Sequence, residues 1–182
     1  MNLKELTKEN HTNAERQAFV KVLMGGKIDP RVYAIYLWNQ FPQYEILELM
    51  AAQHGLLDDI PMIARKKAIM ADFMELWPKD EDAPEVCEST KKYILHLKTI
   101  MDDPKKLMAH IYVRHMGDLS GGQMIAKRVP GSGNYYKFDV NDYTGATPNY
   151  IFFNPSSGRI VIEGNGTSKV YKLEVDLLDE DN

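Results

Sequence analysis

"YVRHMGDLSGGQ", residues 112–123, puts Gly117, Gly121 and Gly122 within two helical turns, with Asp118 among them, in a segment whose flanks read as helix. Each glycine weakens a helix by about 1 kcal/mol relative to alanine, so three together need a reason. Three present themselves: a close crossing with a neighbouring helix, a kink, or a flat body lying against bare backbone. Asp118 bears on the choice. A carboxylate in a dry helix crossing is costly unless well hydrogen bonded. A wet pocket over a planar ligand accommodates both features, with the glycines against the ligand's face and the aspartate holding ordered water.

Working outward, the stretch belongs to a fifth helix, "KKLMAHIYVRHMGDLSGGQMIAKR", started by Asp102-Asp103-Pro104 and stopped by Pro130-Gly131. Four helices precede it. The first opens on Asn2 and Glu5 at capping-box spacing, carries a stripe of Leu3, Leu6, Ala14, Ala18, Val22 and Leu23, and ends at Gly25-Gly26. Asp29-Pro30 starts a second helix, broken or kinked at Pro42 and closed by His54-Gly55. A third is expected from about Ile60 to Trp77, and a fourth, "PEVCESTKKYILHLKTIM", capped by Asp82. After Phe138 the texture changes. "NYIFFN", "GRIVIEG" and "SKVYKLEVDL", separated by "PSSG" and "GNGTS", read as three short strands. The expected architecture is mainly α, a multi-helical bundle over 1–138 with a short β-meander tail over 139–182.

Composition narrows the function. A formal charge of −4 argues against a nucleic-acid surface. The single cysteine, Cys87, excludes an intrachain disulfide, an Fe–S cluster and paired-cysteine cofactor attachment, and fits a reducing, cytoplasmic compartment. The polar N-terminus and the lack of a long apolar run give no leader and no membrane partner.

Of five histidines, His110 and His115 are five apart and face different ways, and none has a glutamate three residues earlier, so paired-histidine zinc and di-iron patterns are missing. His11 is the best single candidate. Ala14 and Ala18 leave a groove beside it, and Glu15, one turn on, can orient the imidazole as a carboxylate does for a metal-bound histidine. A histidine–glutamate pair on a helix surface is the plainer alternative.

"KELTKENHTNAE" and "YVRHMGDLSGGQ", in this order and at this separation, resemble the two signature segments of the heme oxygenase family over residues 1–138. The resemblance implies heme as both cofactor and substrate, opened with O₂ and external electrons to biliverdin, carbon monoxide and ferrous iron. It implies His11 as iron ligand with Glu15 as its partner, and Gly117 and Gly121 as the distal floor. Asp118 is implied as holder of the proton-delivering water, Arg114 as a member of the distal network, and Lys4 and Tyr112 as neighbours of the propionates. With no dinucleotide fingerprint and no Fe–S cysteines, the electrons come from an external donor, such as a ferredoxin or a flavin reductase. "ARKK" at 64–67 and "KK" at 105–106 are basic candidates for its docking.

Two departures stand out. Phe41 occupies a position where relatives often carry a tyrosine of the distal network, and the family's further C-terminal helices have no counterpart here. The tail either replaces the missing wall, with Tyr135, Tyr136 and Phe138 over the heme edge, or is an unrelated appendage; a homodimer is a third way of covering the pocket. A non-catalytic heme-binding protein, for storage, sensing or transfer, is therefore the alternative function. A helical scaffold whose glycines serve packing alone is the blandest.

Overall fold

The computed structural model describes residues 3–138, 147–154, 159–165 and 171–173, with backbone alone for the strands and for Leu3, Lys4 and Ser120. Asn2, half of the expected capping box, lies outside them. The chain divides into two compact units, one of Met1–Lys21 with Asp139–Asn182, the other Val22–Phe138.

Where a capping residue and its helix are adjacent in sequence, the expected start is found. Asp29 opens α3 (Pro30–Gln53), its carboxylate accepting the N–H groups of Arg31 at 2.8 Å and Val32 at 3.2 Å. Asp103 opens α6 (Pro104–Ile111) by accepting the Lys106 N–H at 3.1 Å. The expected first helix is two: α1 (Leu3–Glu15) and α2 (Ala18–Met24). At the junction the Gln17 side chain donates to the Asn13 carbonyl at 3.0 Å, and its N–H turns tightly to the Ala14 carbonyl. The local bonds that end one helix and restart the next leave the apolar spacing unchanged, which is why the stripe reads as continuous.

Helix α3 runs through Pro42 without the break that was one of the two expectations there. Proline lacks the N–H for its turn. Side-chain amides flank the gap, with Asn39 donating to the Ile35 carbonyl at 2.9 Å and Gln43 to the Asn39 carbonyl at 2.6 Å.

The expected Ile60–Trp77 helix begins later. A single tight turn at Pro61–Ile63 precedes α4 (Lys66–Leu76). Glu48, on α3, accepts the N–H groups of Arg65 at 2.6 Å and Lys66 at 3.2 Å and so caps α4 from another helix. Arg65 is not the surface cation that "ARKK" suggested. It is buried, its guanidinium donating to the carbonyls of Met62, Ile63, Ala64 and Lys137.

Helix α5 (Glu88–Thr99) is not capped by Asp82, whose carbonyl instead accepts the Trp77 indole N–H at 3.2 Å. Its start is fixed by Asn39, whose side-chain oxygen accepts the Cys87 N–H at 2.8 Å and the Thr90 hydroxyl at 3.1 Å.

Within the Val22–Phe138 unit, α3 is the central element, packed against α4, α5 and α6. Tyr33, Ala34, Leu37 and Tyr44 of α3 meet Leu23, Ile28, Ile69, Phe73, Tyr135 and Tyr136 in one core. The last two residues correct an expectation. Tyr135 and Tyr136 are core residues of the helical unit, 1 % and 3 % exposed.

In the other unit, β1 (Thr147–Asn154), β2 (Arg159–Asn165) and β3 (Tyr171–Leu173) pair antiparallel in the order β1-β2-β3, with a register shift between Pro148 and Tyr150. Among the described residues no helix is long and apolar enough to cross a membrane.

Candidate functional site

The 112–123 stretch is helix, but not uniform helix. After α6 the chain widens into a π turn over Tyr112–Met116, then resumes as α7 (Gly117–Ala126). Such a wide turn inserts an extra residue and re-aims the side chains after it, an arrangement found often at functional sites.

The three glycines separate into two roles. A Cβ on Gly122 would sit 2.5 Å from the Tyr136 ring, so this glycine permits the close packing of α7 on the core. A Cβ on Gly117 or Gly121 would meet nothing within 4 Å among the described residues. Four residues apart, these two share one helix face, on which an added Cβ would find room among the described residues. Packing explains one glycine; the other two fit a flat body lying against the helix.

Asp118 is partly buried and well satisfied. It accepts a short hydrogen bond from the Tyr44 hydroxyl and lies 3.2 Å from that of Tyr135, which in turn lies 2.9 Å from the Tyr44 oxygen. Burial pushes the Asp118 carboxyl up to about 7, against the lowering effects of the Tyr44 bond, the Arg114 charge, the Tyr135 bond and the Arg65 charge. A carboxyl so placed can hold or release a proton near neutrality.

Arg114 projects from the wide turn, donates to Gln40 Oε1 at 2.5 Å and lies over the rings of Tyr44 and Tyr93 at 4.5 and 5.1 Å. Its Nε is buried with no partner among the described residues, leaving one donor to spare. Tyr112 opens the same turn.

The other histidines of this region are engaged elsewhere. His115 is buried, its Nε2 3.2 Å from Glu48 Oε1, and burial holds its imidazole below its ordinary range. His110 Nδ1 meets the Tyr93 hydroxyl at 2.8 Å.

His11 and Glu15 lie on α1, in the other unit. His11 Nδ1 is 3.5 Å from Glu15 Oε1, with side chains 74 % and 65 % exposed. The carboxylate thus faces Nδ1, the arrangement that leaves Nε2 for a metal. Lys4 sits on the same helix, its side chain outside those described.

Tyr44 and Gln40 escaped the sequence reading, and Tyr135 was read as a cover for the heme edge rather than as a partner of Asp118. Tyr44 carried a usable signal, since it follows Phe41 by one turn of the same helix and can present the phenol that Phe41 lacks. Phe41 itself stacks on Trp38, ring centroids 6.4 Å apart.

Comparison with known proteins gives the family. The heme oxygenase family model matches residues 1–147. A heme oxygenase of Guillardia theta is 33% identical over 77% of this chain and 65% of its own length. Heme oxygenase 2 of Oryctolagus cuniculus is 32% identical, with 95% of this chain and 63% of the relative covered. The chain thus spans just under two thirds of the length of these two relatives.

Among solved structures, heme oxygenase-1 of the cyanobacterium Synechocystis in complex with heme superposes with a TM-score of 0.66 at 25% identity, covering 74% of this chain and 67% of that one. Heme oxygenase from Leptospira interrogans gives 0.64 at 30% identity, covering 75% and 74%. The matched segment takes in α1 with its histidine and the glycine-bearing α7, and on these grounds the chain belongs to the heme oxygenase family.

Proposed function

We propose that this chain is a heme oxygenase that opens heme with O₂ and external electrons to biliverdin, carbon monoxide and ferrous iron. The observation that carries the reading is the bare face at Gly117 and Gly121, adjoining a carboxylate held by phenols and a guanidinium with an unused donor.

Heme, when bound, supplies the iron at which O₂ is reduced and is itself the molecule consumed. The chain supplies the surroundings. His11 Nε2 would hold the iron, with Glu15, facing Nδ1, fixing the ring's tautomer and orientation. Gly117 and Gly121 keep side chains off one face of α7, against whose backbone a planar substrate would lie. Asp118 takes up and returns a proton at its carboxylate oxygens, a role for which a value of about 7 suits it. Arg114, its guanidinium over the Tyr44 ring, holds that phenol in place beside Asp118. Lys4 and Tyr112 are the residues that the family resemblance assigns to the propionates.

In this reading residues 1–138 form the heme-binding domain and 139–182 a β-rich tail. The electrons are delivered in the cytoplasm by a separate protein of the ferredoxin or flavin-reductase kind. With Arg65 buried, its docking falls to other cations, of which Lys105 and Lys106 are exposed.

The test is reconstitution with hemin followed by O₂ and a reductant. A sharp Soret band that decays into a bilin spectrum supports the proposal. Stoichiometric heme that stays intact ends it, and makes the chain a heme-binding protein without turnover.

A further inference from the structure

The short turn after α7 carries a group that the proposed reaction has not used. Residues 134–136 are fixed by Asp72, itself 1 % exposed, whose carboxylate accepts the N–H groups of Asn134 at 2.9 Å and Tyr135 at 2.8 Å. Arg65 fastens the next residues, donating to the Lys137 carbonyl at 2.6 Å and lying 3.8 Å from the centre of the Phe138 ring.

A backbone clamped at both ends aims the Tyr135 ring inward, stacked on Tyr136 and edge-on to Tyr44 at centroid distances of 4.1 and 5.7 Å. Its hydroxyl, in a residue 1 % exposed, then reaches both members of the Tyr44–Asp118 pair. One phenolic hydrogen is shared between the Tyr44 oxygen and Asp118 Oδ1. Ring packing alone does not ask for it, since phenylalanine has the same ring without the hydroxyl.

We propose that Tyr135 is a positioning residue for Asp118, its hydroxyl locking the carboxylate against Tyr44 and stabilising the ionised form. The inference rests on the reading of Asp118 as the group that handles protons. Tyr135 acts through Asp118, from a segment that follows α7 and is held by two charged residues on the α4 side of the unit.

The surroundings of Asp118 set the direction. Burial opposes ionisation, while Tyr44 from α3, Tyr135 from the clamped turn, Arg114 from the wide turn and Arg65 from the start of α4 favour it. Tyr36 of α3 and Tyr136 face the same region, and the His115–Glu48 pair lies behind Tyr44. Removing one donor leaves burial with less opposition, so the midpoint moves up.

The test is a carboxyl ¹³C NMR titration of the full-length, heme-free protein, the Asp118 signal being the one lost in Asp118→Asn. Tyr135→Phe is expected to raise the Asp118 midpoint by about one pH unit, the order expected for a hydrogen bond to a charged group. Tyr136→Phe removes a neighbouring hydroxyl that meets Tyr36 at 3.3 Å and is expected to leave the midpoint in place. A ring-fluorinated tyrosine at 135, a stronger donor of nearly the same shape, is expected to move it down.

An unchanged midpoint in folded Tyr135→Phe, or an equal shift in Tyr136→Phe, overturns the proposal. If Tyr135→Phe does not fold, the fluorinated residue decides: a downward shift supports, no shift overturns. Intact heme in the turnover assay would remove the proposed reaction and leave this titration standing. A negative titration would leave the reaction standing and remove Tyr135.

Discussion

Asp118→Asn should make the heme-free protein more stable, and only at high pH. Burial raises the Asp118 carboxyl from its ordinary 3.8 to about 7, a shift of about three units. At 1.36 kcal/mol per unit, ionising it in the folded state costs about 4 kcal/mol relative to the unfolded chain. Between about pH 4 and 7 the unfolded state has lost this proton and the folded state retains it. Stability contributed by the protonated carboxyl is therefore complete below pH 4, falls by up to about 1.4 kcal/mol per unit, and is gone above about pH 7. Asparagine keeps an oxygen that can accept from Tyr44 and never ionises. Urea unfolding of the two heme-free proteins followed by circular dichroism should give equal stabilities near pH 4, with the variant ahead by about 2–4 kcal/mol at pH 8. A difference that does not change with pH, or a variant less stable at pH 8, would refute the reasoning.

The other expectations are simpler. Gly122→Ala places a Cβ 2.5 Å from the Tyr136 ring and should cost about 1–3 kcal/mol, whereas Gly121→Ala meets nothing within 4 Å and should stabilise the helix by up to about 1 kcal/mol while weakening hemin binding. Thermal melts beside hemin titrations separate the two, and equal effects on both readouts would contradict the division of roles. Glu48→Ala leaves the Arg65 and Lys66 N–H groups and the buried His115 without their acceptor, an expected loss of about 2–4 kcal/mol in urea unfolding. His11→Ala alters an exposed side chain and should leave the melting temperature within a degree or two. The same change should abolish the axial imidazole signal in the resonance spectrum of the ferric heme complex.

How legible this was depended on distance along the chain. Asp29 and Asp103 were readable because each bonds N–H groups two or three residues away. Glu48 caps a helix beginning 18 residues later, and Asn39 fixes the Cys87 N–H from 48 residues away, so neither is visible to local patterning. Arg65 looked like surface because a run of cations usually is solvated; only the fold reveals the carbonyls that surround it.

In the candidate site, 112–123 announced itself by spending helix stability on glycine. Which of its glycines packs and which stays open depended on where Tyr136 lands. Asp118 was legible as a carboxylate needing satisfaction. Its partners were not, since Tyr44 lies 74 residues away and Tyr135 reads as one aromatic among several after a proline and two glycines.

Carbon monoxide released per heme consumed, measured with purified chain, hemin, O₂ and a reductant and with catalase present to remove peroxide, bears most directly on the claim that this chain opens the porphyrin at a site it has built. One carbon monoxide for each heme lost, accompanied by a bilin, is the expected result. Heme that survives, or that bleaches without releasing the gas, would contradict it.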